Sequence, residues 1–134
     1  MNHAANDPPF RIAGTLASAL KRVAPLAGFA GIAAITILSL VPGSERPHTG
    51  LPGHAEHFAA YACTGFALSV AYLGLRERLI FWFGLAMASG VFEILQRWIP
   101  GRSPEIRDAL ASTFGLTTGL VRHCGGKTIC GGIR

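Results

Sequence analysis

A chain of 134 residues has room for one domain, and with 50% hydrophobic and only 14% charged residues at a mean hydropathy of +0.40 it is too oily for an ordinary soluble domain of that size. The net charge of +5 raises nucleic acid as a partner, but nucleic-acid binders gather Lys and Arg into a stripe with aromatics interleaved. Here the basic residues punctuate apolar blocks, as charges do when they flank bilayer spans, so nucleic acid is set aside and the lipid bilayer is the expected partner.

Residues 1–9 are polar and Pro-rich, the composition of an unstructured end. From Phe10 to Val23, Ile12, Leu16 and Leu20 recur every four positions beside Arg11, Lys21 and Arg22. That spacing suits a short helix on the membrane surface, with an unstructured arm as the alternative, and residues 1–22 are read together as an N-terminal arm. Val23 to Val41 holds 19 residues without a charge, about 28 Å of helix and close to a bilayer core. This is the first expected span. A cleaved signal peptide competes, with Lys21 and Arg22 as its basic region. It fits less well, because the apolar run is long, the segment before it is long, and Ser39-Leu40-Val41 is a poor small-residue cleavage site.

Residues 42–56 carry Pro42, Pro47 and Pro52, which preclude a continuous helix. His57 to Leu75 is again free of formal charge and gives the second span, where Cys63 reads as a small buried hydrophobe. Arg76-Glu77-Arg78 allows only an antiparallel turn, and Leu79 to Ile99 forms the third span, apolar until Glu93, Gln96 and Arg97. Pro100-Gly101 breaks the chain. Ile106 to Val121, bounded by Arg107 and Arg122, gives a shorter and less oily fourth span before a Gly-rich tail over 123–134. The expected fold is therefore all-α, an integral membrane bundle of four transmembrane helices over residues 23–122. In the tail, Cys124 and Cys130 with His123 lack the second CxxC or HxxxH pair of a zinc site, and no role is assigned to them.

Orientation follows from the basic residues, because short loops rich in Lys and Arg stay cytoplasmic. With four spans, Arg11, Lys21, Arg22, Arg76, Arg78, Arg122, Lys127 and Arg134 share one side, against Arg46, Arg97, Arg102 and Arg107 on the other. Both termini are expected inside. Three of the outer arginines crowd into residues 97–107, which becomes understandable if acids held beside them partly neutralise their charge.

The same topology gathers polar residues at the outer face. His54, Glu56 and His57 begin the second span, Glu93 and Gln96 end the third, and Arg102, Glu105 and Asp108 occupy the last turn and the start of the fourth. Helical spacing puts Glu93 and Gln96 on one face with Ser89 and Gly90. It aligns Asp108, Ser112, Gly115 and Gly119 on another, and His57, Tyr61 and Gly65 on a third. Gly115-xxx-Gly119 has the spacing that lets membrane helices approach closely, so Gly65, Gly90, Ser112, Gly115 and Gly119 are expected to pack the three faces together. A carboxylate within a span costs up to roughly 3 kcal/mol at mid-bilayer and needs a partner, and Glu93 has Arg97 at i+4 and Arg102 across the turn.

The candidate polar site is thus His54, His57, Glu93, Gln96, Arg102 and Asp108. Its histidines would carry protons, its acids accept them, and Arg102 would clamp an anion. The plainer alternative is that Glu93, Arg102 and Asp108 merely lock a helical hairpin. No nucleophile and no phosphate-binding glycine loop is evident, so no catalytic residue and no cofactor are expected. His54 and His57 with Glu93 or Asp108 could ligate a metal, but the HExxH spacing of helical zinc sites is absent and no metal is expected. Tyr61, Tyr72, Trp82 and Trp98 read as interfacial or core aromatics without chemistry.

Three stretches, HFAAY opening the second span, EILQRWIPGR ending the third and DALASTFGLTTG opening the fourth, together resemble the VanZ-like membrane proteins of bacteria. The family's His-Phe start falls on His57 and Phe58, its Glu-xx-Gln into Pro-Gly-Arg on Glu93, Gln96 and Pro100 to Arg102, and its Asp-xxx-Asn-xx-Gly on Asp108 and Gly115. The resemblance covers roughly residues 25–122. This chain departs from it at Gly53 and His54, where the family often has Asp-Lys, and at Ser112, where it has Asn, so no role needing that Lys or that amide is carried over. The resemblance implies a small multi-pass protein of the bacterial inner membrane, in a family named for a member linked to teicoplanin resistance and without an established reaction. The expectation is a cell-envelope or glycopeptide-tolerance protein that contacts an envelope amphiphile or a membrane protein partner. A membrane enzyme acting on lipid or phosphate-containing headgroups and a structural protein with a charge-locked hairpin are the alternatives.

Overall fold

A computed structural model describes residues 8–45 and 49–121; the expected tail, with Cys124 and Cys130, lies outside the described residues. Four helices follow one another: α1 (Pro8–Leu40), α2 (Gly53–Ala71), α3 (Leu75–Leu95) and α4 (Ile106–Val121), with no strand among the described residues. The chain is all-α. The expected surface helix and first span are one element, because α1 runs for 33 residues with Pro25 inside it. Ala, Leu, Lys and Arg dominate residues 16–24, and their helix propensity carries the chain through the hydrogen bond that Pro25 removes.

Two helical stretches are long and apolar enough to cross a membrane: Gly14–Leu40, with a mean hydropathy of 2.1, and Leu75–Trp98, with 1.6. The other two helices fall short for different reasons. The first turn of α2 holds His54, Glu56 and His57, whereas α4 has 16 residues, about 24 Å of rise. The start of α2 also precedes the expected His57, since the Pro52 carbonyl accepts from the N–H groups of Ala55 and Glu56 and so opens the helix at Gly53.

Glycines set how closely the helices lie. A Cβ on Gly115 would collide with the Phe58 carbonyl and one on Gly119 with the Ala62 carbonyl, and one on Gly65 would stand 2.9 Å from the Leu116 carbonyl. The α2–α4 seam is therefore backbone against backbone. Where α1 meets α2, Gly28 faces the Leu68 side chain and Gly31 the Thr64 side chain. Gly90 makes no such approach: a Cβ there would meet nothing within 4 Å, so the expected small-residue contact on α3 rests on buried Ser89 instead. Ile35, Tyr61, Leu116 and Leu120 form the core, with Trp82, Leu85 and Phe92 packed against it.

Each of the first two helices is closed by an arginine from a later turn. The last carbonyls of a helix have no intrahelical donor, and a cation there also meets the negative end of the helix dipole. Arg78 donates from Nε to the Tyr72 carbonyl at 3.1 Å and from Nη2 to the Ser69 carbonyl at 3.3 Å at the end of α2. Arg102 does the same for α1, donating to the Val41 carbonyl from Nε and Nη2, each at 3.2 Å, and from Nη2 to the Leu38 carbonyl. The turn that delivers Arg102 is built by its own sequence. Pro100 and Gly101 are its central residues, Gly101 has φ +73°, and the Arg102 N–H donates to the Ile99 carbonyl at 3.3 Å, as in a type II turn.

Candidate functional site

The end of α1, the start of α2, the end of α3 and the start of α4 lie at one end of the bundle, and there His57, Glu93 and Asp108 converge from three helices. One ligand-bearing atom of each lies within 4.8 Å of the other two. His57 Nε2 stands 3.7 Å from Asp108 Oδ2, with the two side chains 11% and 15% exposed. The first turn of α2 fits this approach, since a Cβ on Gly53 would touch the Asp108 carboxylate at 3.4 Å. A carboxylate placed there also meets the positive end of the α2 dipole.

The imidazole is oriented from behind. Ser112 donates its single hydroxyl proton to the Asp108 carbonyl at 2.8 Å, and its Oγ lies 3.4 Å from His57 Nδ1. With that proton committed, the Ser112 Oγ can accept from a protonated Nδ1, the tautomer that would turn the Nε2 lone pair toward Asp108. Tyr61, 2% exposed, has Ser89 of α3 and Ser112 of α4 beside its hydroxyl, so α2, α3 and α4 meet beneath the cluster at one buried phenol. Glu93 has Asp108, Arg102 and Glu105 beside its carboxylate. Its Oε2 atom is buried without a hydrogen-bond partner.

The six expected site residues divide. His57, Glu93 and Asp108 form the cluster. Gln96 and Arg102 serve the end of α1: Gln96, 2% exposed, donates from Nε2 to the Ser39 carbonyl at 3.1 Å, next to the carbonyls that Arg102 takes. The anion clamp expected of Arg102 thus meets a guanidinium already engaged with backbone. His54 is exposed on the first turn of α2 and stays out of the cluster. Arg97, expected to pair with Glu93, is exposed in the 3-10 turn Gln96–Trp98 that ends the α-helical register after Leu95. Tyr61 and Ser89, which spacing had put on these helix faces, are the residues whose role at the site the sequence left unassigned. Their signal was present, since Tyr61 follows His57 by four and Ser89 precedes Glu93 by four, yet an aromatic and a serine in apolar blocks carry no chemistry by type alone.

Ser112, His57 and Asp108 contain the residue types of a nucleophilic triad, and the geometry argues against that use. Ser112 is 1% exposed and its proton goes to a helical carbonyl, so its oxygen is neither reachable nor activated. Beside the cluster, a cleft of about 450 Å³ opens between α1 and α2, lined on α1 by Gly31, Ala34, Ile35 and Leu38 and on α2 by Ala59, Ala60 and Cys63. Its polar end is formed by Thr49, Glu56 and His57, with Thr49 donating to the Glu56 carboxylate. His57 therefore belongs to both cluster and cleft. In comparison with known proteins, no family model matches the chain, and no curated protein and no solved structure matches it.

Proposed function

We propose that this chain is a VanZ-like multi-pass protein of the bacterial inner membrane that holds an envelope amphiphile, head at the His57–Glu93–Asp108 cluster and tail in the α1–α2 cleft. Both termini lie in the cytoplasm and the cluster faces the periplasm. Its role is in the cell envelope or in glycopeptide tolerance, by binding and not by catalysis. Support for a membrane setting comes from the two long apolar stretches and from side chains such as Met87, Phe114 and Phe83, which are 68%, 66% and 59% exposed. Water is a poor neighbour for such a belt and acyl chains are a good one. The family assignment is supported by the three ordered motifs alone.

The observation that carries the reading is that His57 sits where an apolar cleft meets a polar cluster, the shape complement of a molecule with one greasy and one polar end. The test is lipid analysis of material co-purified in mild detergent with the native chain and with Ala60→Phe, which fills the cleft. Depletion of one amphiphile class in the variant is the expected result. Identical lipid content in both would sink the reading.

A second reading applies to part of the original site. Gln96 and Arg102 bind the α3–α4 turn to the end of α1, which favours a locking role for these two. Variants there should lower membrane abundance, while Glu93→Gln should not.

A further inference from the structure

The geometry points to a divalent transition-metal site formed by His57, Glu93 and Asp108. This goes beyond the amphiphile reading and holds whether or not the cleft is filled. Three observations carry it. The first is convergence: three potential ligands from α2, α3 and α4 lie within 4.8 Å of one another. Ligands bound at about 2.0–2.2 Å around one tetrahedral ion stand roughly 3.4 Å apart, and His57 Nε2 and Asp108 Oδ2 are already at 3.7 Å.

The second is the direction of the imidazole. Ser112 Oγ lies on the Nδ1 side, leaving Nε2 turned to the Asp108 carboxylate. That pair is satisfied by a proton on Nε2 or by a cation held between the two atoms. The Ser112 contact is also the outer-shell bond that commonly fixes a metal-binding histidine. The third is the Glu93 carboxylate, whose Oε2 is buried and accepts no hydrogen bond, an arrangement that is costly unless something electropositive is bound. A proton on His57 and the guanidinium of Arg102 near Glu93 balance the two carboxylates in charge, whereas a divalent cation would also supply the direct ligation that Glu93 Oε2 lacks.

One imidazole and two carboxylates are a mixed donor set, suited to Zn²⁺ or Mn²⁺ over Mg²⁺, which prefers oxygen and keeps its waters. The linear metal motifs are absent because no two of these ligands share a helix. The site exists only after three spans have packed.

The experiment uses the full chain in detergent, purified without a histidine tag, stripped with chelator, and carrying Cys124→Ser and Cys130→Ser so that the tail does not contribute. After exposure to Zn²⁺, Mn²⁺ or Mg²⁺ and desalting, bound metal is measured by elemental analysis. The expected result is one Zn²⁺ or Mn²⁺ retained per chain, with little Mg²⁺. Glu93→Gln and Asp108→Asn should fall to background, Ser112→Ala should weaken binding by about tenfold, and His54→Ala should retain metal in full. Zn²⁺ or Mn²⁺ should also raise the unfolding temperature of the native chain, a readout independent of any variant. No retained metal together with an unmoved unfolding temperature in the native chain overturns the proposal, and so does equal retention by native and Glu93→Gln protein. Lipid depletion by Ala60→Phe with no metal retained would remove this site and leave the amphiphile reading standing.

Discussion

The α2–α4 seam and the α1–α2 cleft share one helix and use its surface in opposite ways. Along the seam, Gly65, Gly115 and Gly119 let backbones touch, and no side chain larger than hydrogen fits at the last two. Along the cleft, Ala34, Ala59 and Ala60 leave a volume of about 450 Å³ unfilled. Small residues there leave an open groove that the bundle's own side chains do not cover, so the fold forgoes the dispersion contacts that larger ones would make. The seam is where the sequence secures the fold, and the cleft is where it withholds side chains from it.

The sharpest way to break this contrast is to put a side chain into the seam. Gly115→Leu sets carbon against the Phe58 carbonyl and should cost more than the about 1–3 kcal/mol of ordinary overpacking, so loss of the protein from membrane fractions is expected. Next comes Arg102→Ala, which strips the Val41 and Leu38 carbonyls of their donor. A cost of about 1–3 kcal/mol should appear as a lower unfolding temperature and reduced abundance. Glu93→Gln removes charge without volume, and its abundance should match the native level while metal retention and any glycopeptide tolerance fall. Ala60→Phe should change stability by less than about 0.5 kcal/mol and act only on co-purified amphiphile. Smallest of all, Gly90→Ala meets open space and replaces a poor helix former, so a gain of up to about 1 kcal/mol is expected in thermal unfolding.

Periodicity made much of this legible. The bounds of α4 and the faces through Asp108, Ser112, Gly115 and Gly119 and through His57, Tyr61 and Gly65 followed from residue types at intervals of three and four. Tyr61 and Gly65 prove buried as that spacing implies. What periodicity could not yield was the destination of a long side chain. Arg102 and Gln96 read as ligands because they are polar and near acids, yet both reach α1 carbonyls some sixty residues earlier in the chain. Orphan carbonyls at a helix end have no signature in sequence, since every residue carries one. The merging of the expected arm and first span had a similar origin: the charges of Lys21 and Arg22 set the expected boundary, and neither they nor Pro25 interrupts the backbone ladder enough to end the helix.

The length of α1 has its own outcome. Thirty-three residues amount to about 50 Å, well over the roughly 30 Å of a hydrocarbon layer. Counted back from Leu40, about 20 residues match that thickness and end near Lys21 and Arg22. The part of α1 that precedes Lys21 is therefore helix beyond what a crossing of that thickness needs.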